Sequence, residues 1–141
     1  MRTGGAVGAQ LGYSVAGAGD VNRDGYDDIA AGASGVTSAF SLEGAAYVFY
    51  GSAGGVQAAG STSVFGGQAG MALGRSVALG DFDGDGCADL VAGAPFWDGA
   101  FSGQGLVRGW RGTTSGLSTV LWWGYSASQT NGNTGWSVAN A

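Results

Sequence analysis

The chain repeats itself. Leu11-Gly12-Tyr13-Ser14-Val15-Ala16 matches Leu73-Gly74-Arg75-Ser76-Val77-Ala78, and Asp20 to Gly32-Ala33 matches Asp81 to Gly93-Ala94, so the offset is 62 and then 61 residues. Gly44 to Gly51 matches Gly105 to Gly112, and Thr134-Gly135-Trp136-Ser137-Val138-Ala139 opens a third copy. A repeat of this length is one supersecondary unit that cannot bury its apolar face alone, so neighbouring copies must stack. The matches divide the chain into a first repeat (1–67), a second (68–133) and the first strand of a third (134–141).

Inside each repeat lies a nine-residue acidic loop. In Asp81-Phe82-Asp83-Gly84-Asp85-Gly86-Cys87-Ala88-Asp89 the carboxylates stand at positions 1, 3, 5 and 9. In Asp20-Val21-Asn22-Arg23-Asp24-Gly25-Tyr26-Asp27-Asp28 an amide stands at position 3. Alternate residues of a tight loop aim oxygens at one centre, and glycine at position 6 lets the backbone turn. Calcium takes six to eight oxygens at about 2.3–2.6 Å. The spacing predicts Asp20, Asn22, Asp24 and Asp28, then Asp81, Asp83, Asp85 and Asp89, as side-chain ligands, with the carbonyls of Tyr26 and Cys87 at position 7. Two calcium ions per chain follow. An EF-hand is excluded, because position 12 is Ala31 or Ala92 rather than glutamate, and the flanks are short, apolar and glycine-bounded.

Charge is local. Eight of the ten acidic residues lie in these loops, leaving Glu43 and Asp98 elsewhere. Two divalent cations would take the formal −5 to −5 + 4 = −1. Five arginines and no lysine make no basic patch for nucleic acid. No apolar run approaches the ~18–20 residues of a membrane span. With no histidine, Ser-His and Cys-His nucleophilic pairs are excluded, and the single Cys87 precludes an intrachain disulfide. Glu43 and Asp98 read as surface carboxylates rather than a glycosidase pair.

Short apolar segments bounded by glycine predict four strands per repeat: about 12–18, 28–33, 45–50 and 61–66, then 74–79, 89–94, 105–111 and 119–124. The expected fold class is all-β, built of four-stranded antiparallel β-propeller blades with a metal loop between the first two strands of each. A calcium-binding β-solenoid is the alternative, although its period is much shorter.

Leu-Gly-x-Ser-Val-Ala, the acidic loop, Gly93-Ala94-Pro95 and Gly-x-x-Tyr-Val-Phe occur in that order. In this the chain resembles the FG-GAP repeat of integrin α-like propellers. Leu11 and Leu73 replace the phenylalanine of that motif, and Ser34 replaces its proline. The resemblance implies a calcium-stabilised, non-catalytic module of an extracellular or cell-surface parent, although no signal peptide opens this chain. It implies structural calcium on the face of the first loops. It places the loops between second and third strands, 34–43 and 95–104, on the opposite, partner-facing side. Phe96, Trp97 and Asp98 are the candidate ligand contacts, for a protein or, alternatively, a glycan. Two blades cannot close a seven-bladed ring. The expectation is therefore a homo-oligomer, three copies before four, joined through faces bearing Val15, Val48, Val77 and Leu106. The start within one first strand and the end within another suggest a cut through a longer propeller.

Overall fold

The structure, a computed structural model, describes residues 7–57 and 59–140. The outer limits of the first and third repeats, at residues 1 and 141, lie outside the described residues. Eight strands form two sheets. The first holds β1 (Leu11–Gly19), β2 (Asp28–Ala33), β3 (Ala45–Phe49) and β4 (Thr62–Phe65), in that order and all antiparallel. The second holds β5 (Ser76–Gly80), β6 (Asp89–Ala94), β7 (Leu106–Trp110) and β8 (Trp123–Ser126), with the same topology. These are two propeller blades. Among the described residues no helix is long and apolar enough to cross a membrane.

One expected strand sits elsewhere. The apolar run Val120-Leu121-Trp122-Trp123 suggested a strand over 119–124, but pairing starts at Trp123. Ser118 N donates to Arg111 O, and Val120 N turns back to Ser118 Oγ. Those residues round a corner before the ladder begins. β8 aligns with β4 at an offset of 61, so the repeat was the better guide than local hydropathy.

The blades face each other across one apolar seam. Ala30, Val48 and Val64 from the first sheet meet Val77, Leu79, Leu90 and Trp110 from the second, with Met71 and Leu73 closing one end. Side chains alternate across a strand, so each sheet turns one set of residues to the seam and the other away. This corrects the expected outer faces. Val48, Val77 and Leu106 lie in the seam; of the four named residues, Val15 alone is exposed.

Glycine is required where the blades touch. A Cβ on Gly32 would overlap the carbonyl oxygen of Gly74, and one on Gly93 would overlap that of Gly135. The Gly-Ala step of the repeat therefore marks where the first strand of the following repeat crosses the second strand of the preceding one.

Residues 134–140 follow this rule without forming a strand. Thr134 bridges to Gly105 as Leu73 bridges to Gly44, and Ser76 Oγ donates to Gly135 O at 2.9 Å. The segment thus occupies, on the second sheet, the place that residues 73–79 occupy on the first.

Candidate metal centres and the opposite face

The two acidic loops fold around their first aspartate. Asp20 accepts from Asp24 N at 3.0 Å and from Gly25 N at 2.8 Å. Asp81 accepts from Gly84 N at 2.8 Å, Asp85 N at 3.1 Å and Gly86 N at 2.9 Å. Asp24 and Asp85 then accept from Tyr26 N and Cys87 N. These turns need left-handed backbone at Gly25, Gly84 and Gly86, and the first loop places Arg23 there too, at φ 57°.

The ninth position has a second task that spacing did not reveal. Asp28 is fully buried and accepts from Val21 N at 2.7 Å and from Gly51 N at 2.8 Å. Asp89, also fully buried, accepts from Phe82 N and Gly112 N, both at 3.0 Å. Each carboxylate ties its acidic loop to the end of the third strand. Burial pushes both carboxyls above the usual carboxylate value, the backbone donors pull them part of the way back, and neighbouring loop aspartates push the same way as burial. The glycines 51 and 112 match in the repeat and were the available signal. A Cβ on Gly112 would strike Ala88 O, and one on Gly51 would strike Asp27 O.

The second loop brings three of its four predicted carboxylates together. Carboxylate oxygens of Asp81, Asp83 and Asp89 lie within 4.8 Å of one another. That is the span of two ligands each about 2.4 Å from a shared centre. Asp85 and the Cys87 carbonyl belong to the same turn. In the first loop Asn22 Nδ2 donates to Asp24 Oδ2 at 2.9 Å, so amide and carboxylate hold each other. Two cations border these loops. Arg111 Nε lies 2.9 Å from Asp83 Oδ2, with its guanidinium 4.6 Å from the Trp122 ring centre. The Arg23 guanidinium reaches across the seam to Gly86. Asp20 O also accepts from Ala88 N at 2.8 Å, joining the two loops directly. The Cys87 thiol is buried, which raises its pKa and keeps it protonated.

Antiparallel order puts loops 34–43 and 95–104 at the other end of the blades. Here the repeat uses matched clips. Thr37 Oγ1 accepts from Leu42 N, and Asp98 Oδ1 accepts from Gly103 N. Glu43 accepts from Phe40 N and Gly67 N, while Gln104 accepts from Phe101 N and donates to Ser126 Oγ and Ala127 O. Glu43 is therefore not a surface carboxylate: at 1% exposure it is an internal brace that holds the loop at Phe40 and the turn at Gly67 by their N–H groups. Of the candidate contacts, Trp97 packs on the seam core, Asp98 is exposed and linked both ways to Gln68, and Phe96 is exposed. Phe96 meets Trp136 edge-on at 5.7 Å. The Arg75 guanidinium lies 4.4 Å from the Trp136 ring centre, 4.7 Å from that of Tyr13 and 5.5 Å from that of Phe96. Tyr13, Arg75 and Trp136 hold the same position of successive repeats, so this cluster was implicit in the alignment.

Two antiparallel four-stranded blades, each with an acidic loop between its first two strands and a backbone contact enforced by glycine, define an acidic-loop type of propeller repeat. The FG-GAP repeat model matches residues 11–65 and 73–108, and the chain belongs to that family. It is similar to integrin alpha pat-2 of Caenorhabditis briggsae, at 39% identity over 90 residues. That match covers 60% of this chain and 7% of the integrin subunit, so the chain spans a small part of its relative.

Proposed function

We propose that this integrin α-like propeller unit is a non-catalytic binding module stabilised by two structural calcium ions. Its setting is an extracellular or cell-surface parent protein. The gathering of Asp81, Asp83 and Asp89 carries this reading, since three carboxylates at such spacing repel one another until a cation joins them. Asp81, Asp83, Asp85, Asp89 and the Cys87 carbonyl would hold one ion. Asp20, Asn22, Asp24, Asp28 and the Tyr26 carbonyl would hold the other, after Asn22 releases Asp24. The ion supplies charge neutralisation and cross-links the turn; the chain's own clamps, Asp28 and Asp89, carry that order to the third strand. Non-catalysis is supported by the lack of histidine and by the engagement of Glu43 and Asp98 with backbone N–H groups.

The test is titration calorimetry together with melting in calcium and in chelator. Two sites are expected, the tighter in the second loop, with a higher melting temperature in calcium. Chelation without effect on melting would remove the structural role.

The face opposite the loops is the recognition face, and protein is the favoured ligand. A glycan is the second reading. The half-exposed rings of Phe96 and Trp136 flank the Arg75 guanidinium, and a groove of about 260 Å³ runs from Phe96 and Arg75 to Gln10 and Ser34. Aromatic faces beside amide and guanidinium donors suit a sugar ring. A glycan array decides it, with Phe96→Ala as the control that abolishes a true signal.

A further inference from the structure

Of the described arginines, Arg111 pairs with Asp83, Arg108 donates to Gly66 O, and Arg23 lies against the second acidic loop. Arg75 stands apart, at the other end of the blades, just before β5. It is the middle member of three residues at one repeat position, so its neighbours on both sides, Tyr13 before it and Trp136 after it, belong to the described chain. Those two rings and Phe96 hold its guanidinium. Among the described residues it has no carboxylate and no hydrogen-bond acceptor. Rings engage the flat face of a guanidinium, whereas its five N–H donors lie in the plane and still need acceptors. The acids at this end are taken: Glu43 by Phe40 N and Gly67 N, and Asp98 by Gly103 N.

We propose that Arg75 is the receptor for a single carboxylate, carried by an aspartate or glutamate of a protein ligand. This rests on the reading of the face opposite the acidic loops as the recognition face.

The groove of about 260 Å³ beside Arg75 has the matching chemistry. Leu42 and Phe96 are apolar and exposed, and Gly35 and Gly70 leave room for the ligand's main chain. Ser34 Oγ donates to Gln10 Oε1 at 2.9 Å, so the Nε2 hydrogens of Gln10 are unpaired among the described residues. The groove thus offers a planar fork of donors, an amide donor and two apolar walls. Stacking fixes the plane of the fork before the ligand arrives, and a carboxylate meets such a fork with two parallel hydrogen bonds. A phosphate group asks for a cluster of arginines, and here there is one. The net charge of −5 repels a run of acids. The segment that fits carries one acidic residue between apolar neighbours, which lie against Leu42 and Phe96.

The probe is the blocked pentapeptide acetyl-Ala-Leu-Glu-Leu-Ala-amide, titrated into the protein in calcium and followed by heteronuclear NMR. The Arg75 Nε–H resonance and the backbone amides of Gly35, Leu42 and Ala72 should shift and saturate together. The same peptide with glutamine for glutamate should bind at least about ten-fold more weakly, the worth of one charge-assisted hydrogen bond. Arg75→Gln should erase that preference. Arg75→Lys, which keeps the charge and loses the fork, should restore only part of it. Circular dichroism checks that the variants fold. If Arg75→Gln does not, Leu42→Glu replaces it: its carboxylate, added at an exposed position, should block the probe. Equal binding of both peptides at these resonances overturns the role of Arg75 and leaves the face as a recognition surface. Shifts confined to the acidic loops, or none with either peptide, overturn the proposal. A sialylated trisaccharide that moves Arg75 where the peptides do not would assign the carboxylate to a glycan and sink the protein ligand. If peptides and saccharides, neutral or acidic, all leave these resonances unmoved, the reading of the face falls as well.

Discussion

The Ser14 hydroxyl donates to the carbonyl oxygen of Gly74, 3.0 Å away and 60 residues further along the chain. It ties one blade to the next, and it recurs between Ser76 and Gly135. The invariance of serine between the two repeats is thus a matter of joining neighbours and not of strand formation within one blade.

Ser14→Ala should cost about 1 kcal/mol, the net worth of such a bond. For a chain of this size that lowers the melting temperature by about 3–4 °C. Thermal unfolding followed by circular dichroism checks it; no shift would mean that water replaces the hydroxyl at no cost.

Asp89 and Asp81 should separate the clamp from the metal. Asp89→Ala strands two backbone N–H groups, at Phe82 and Gly112, and is expected to cost about 2–4 kcal/mol in chelator and more in calcium, where a ligand of the ion is lost as well. The N–H groups bound by Asp81 are exposed and can turn to water, so Asp81→Ala should destabilise mainly in calcium. Equal losses for both variants in chelator would contradict this division.

Arg111→Ala should tighten the second calcium site several-fold. The guanidinium holds Asp83 Oδ2 and adds a positive charge next to the incoming ion. Calorimetry that finds unchanged or weaker affinity would show that Arg111 instead pre-positions Asp83.

Gly32→Ala should be severely destabilising, because its Cβ has to displace the Gly74 backbone. Gly17→Ala, in the neighbouring strand with open space around it, should be tolerated. Expression and melting of the pair give the comparison; a stable Gly32→Ala protein would show that the blades can separate locally.

The strands and the acidic loops were legible in the sequence because each obeys a short-range rule. Apolar runs end at glycines, and oxygen-bearing residues alternate through a turn. What escaped depends on partners far along the chain. Nothing within 81–89 announces that Asp89 reaches Gly112, and the composition around Glu43 suits a surface loop until Gly67 N is brought over it. The apolar stretch before Trp123 misled for the opposite reason: its hydropathy is real, but its N–H groups go to Ser118 Oγ and Gly109 O in a corner. The same limit applied to the outward faces. Alternation showed that one face of each strand must be covered, whereas Val48 and Val77 took the seam because the neighbouring blade lies on that side.

The absence of a side chain at Gly32 has a consequence for shape. Where the first strand of one blade crosses the second strand of the previous blade, main chain lies directly on main chain, with no spacer that substitution could lengthen or trim. Seam residues such as Leu79 and Trp110 can vary in size and alter how firmly the blades hold. The pitch from one blade to the next is hinged on atoms that every residue shares. Curvature in this molecule is inherited through its glycines, and a lineage that kept them would keep its angle while everything around them drifted.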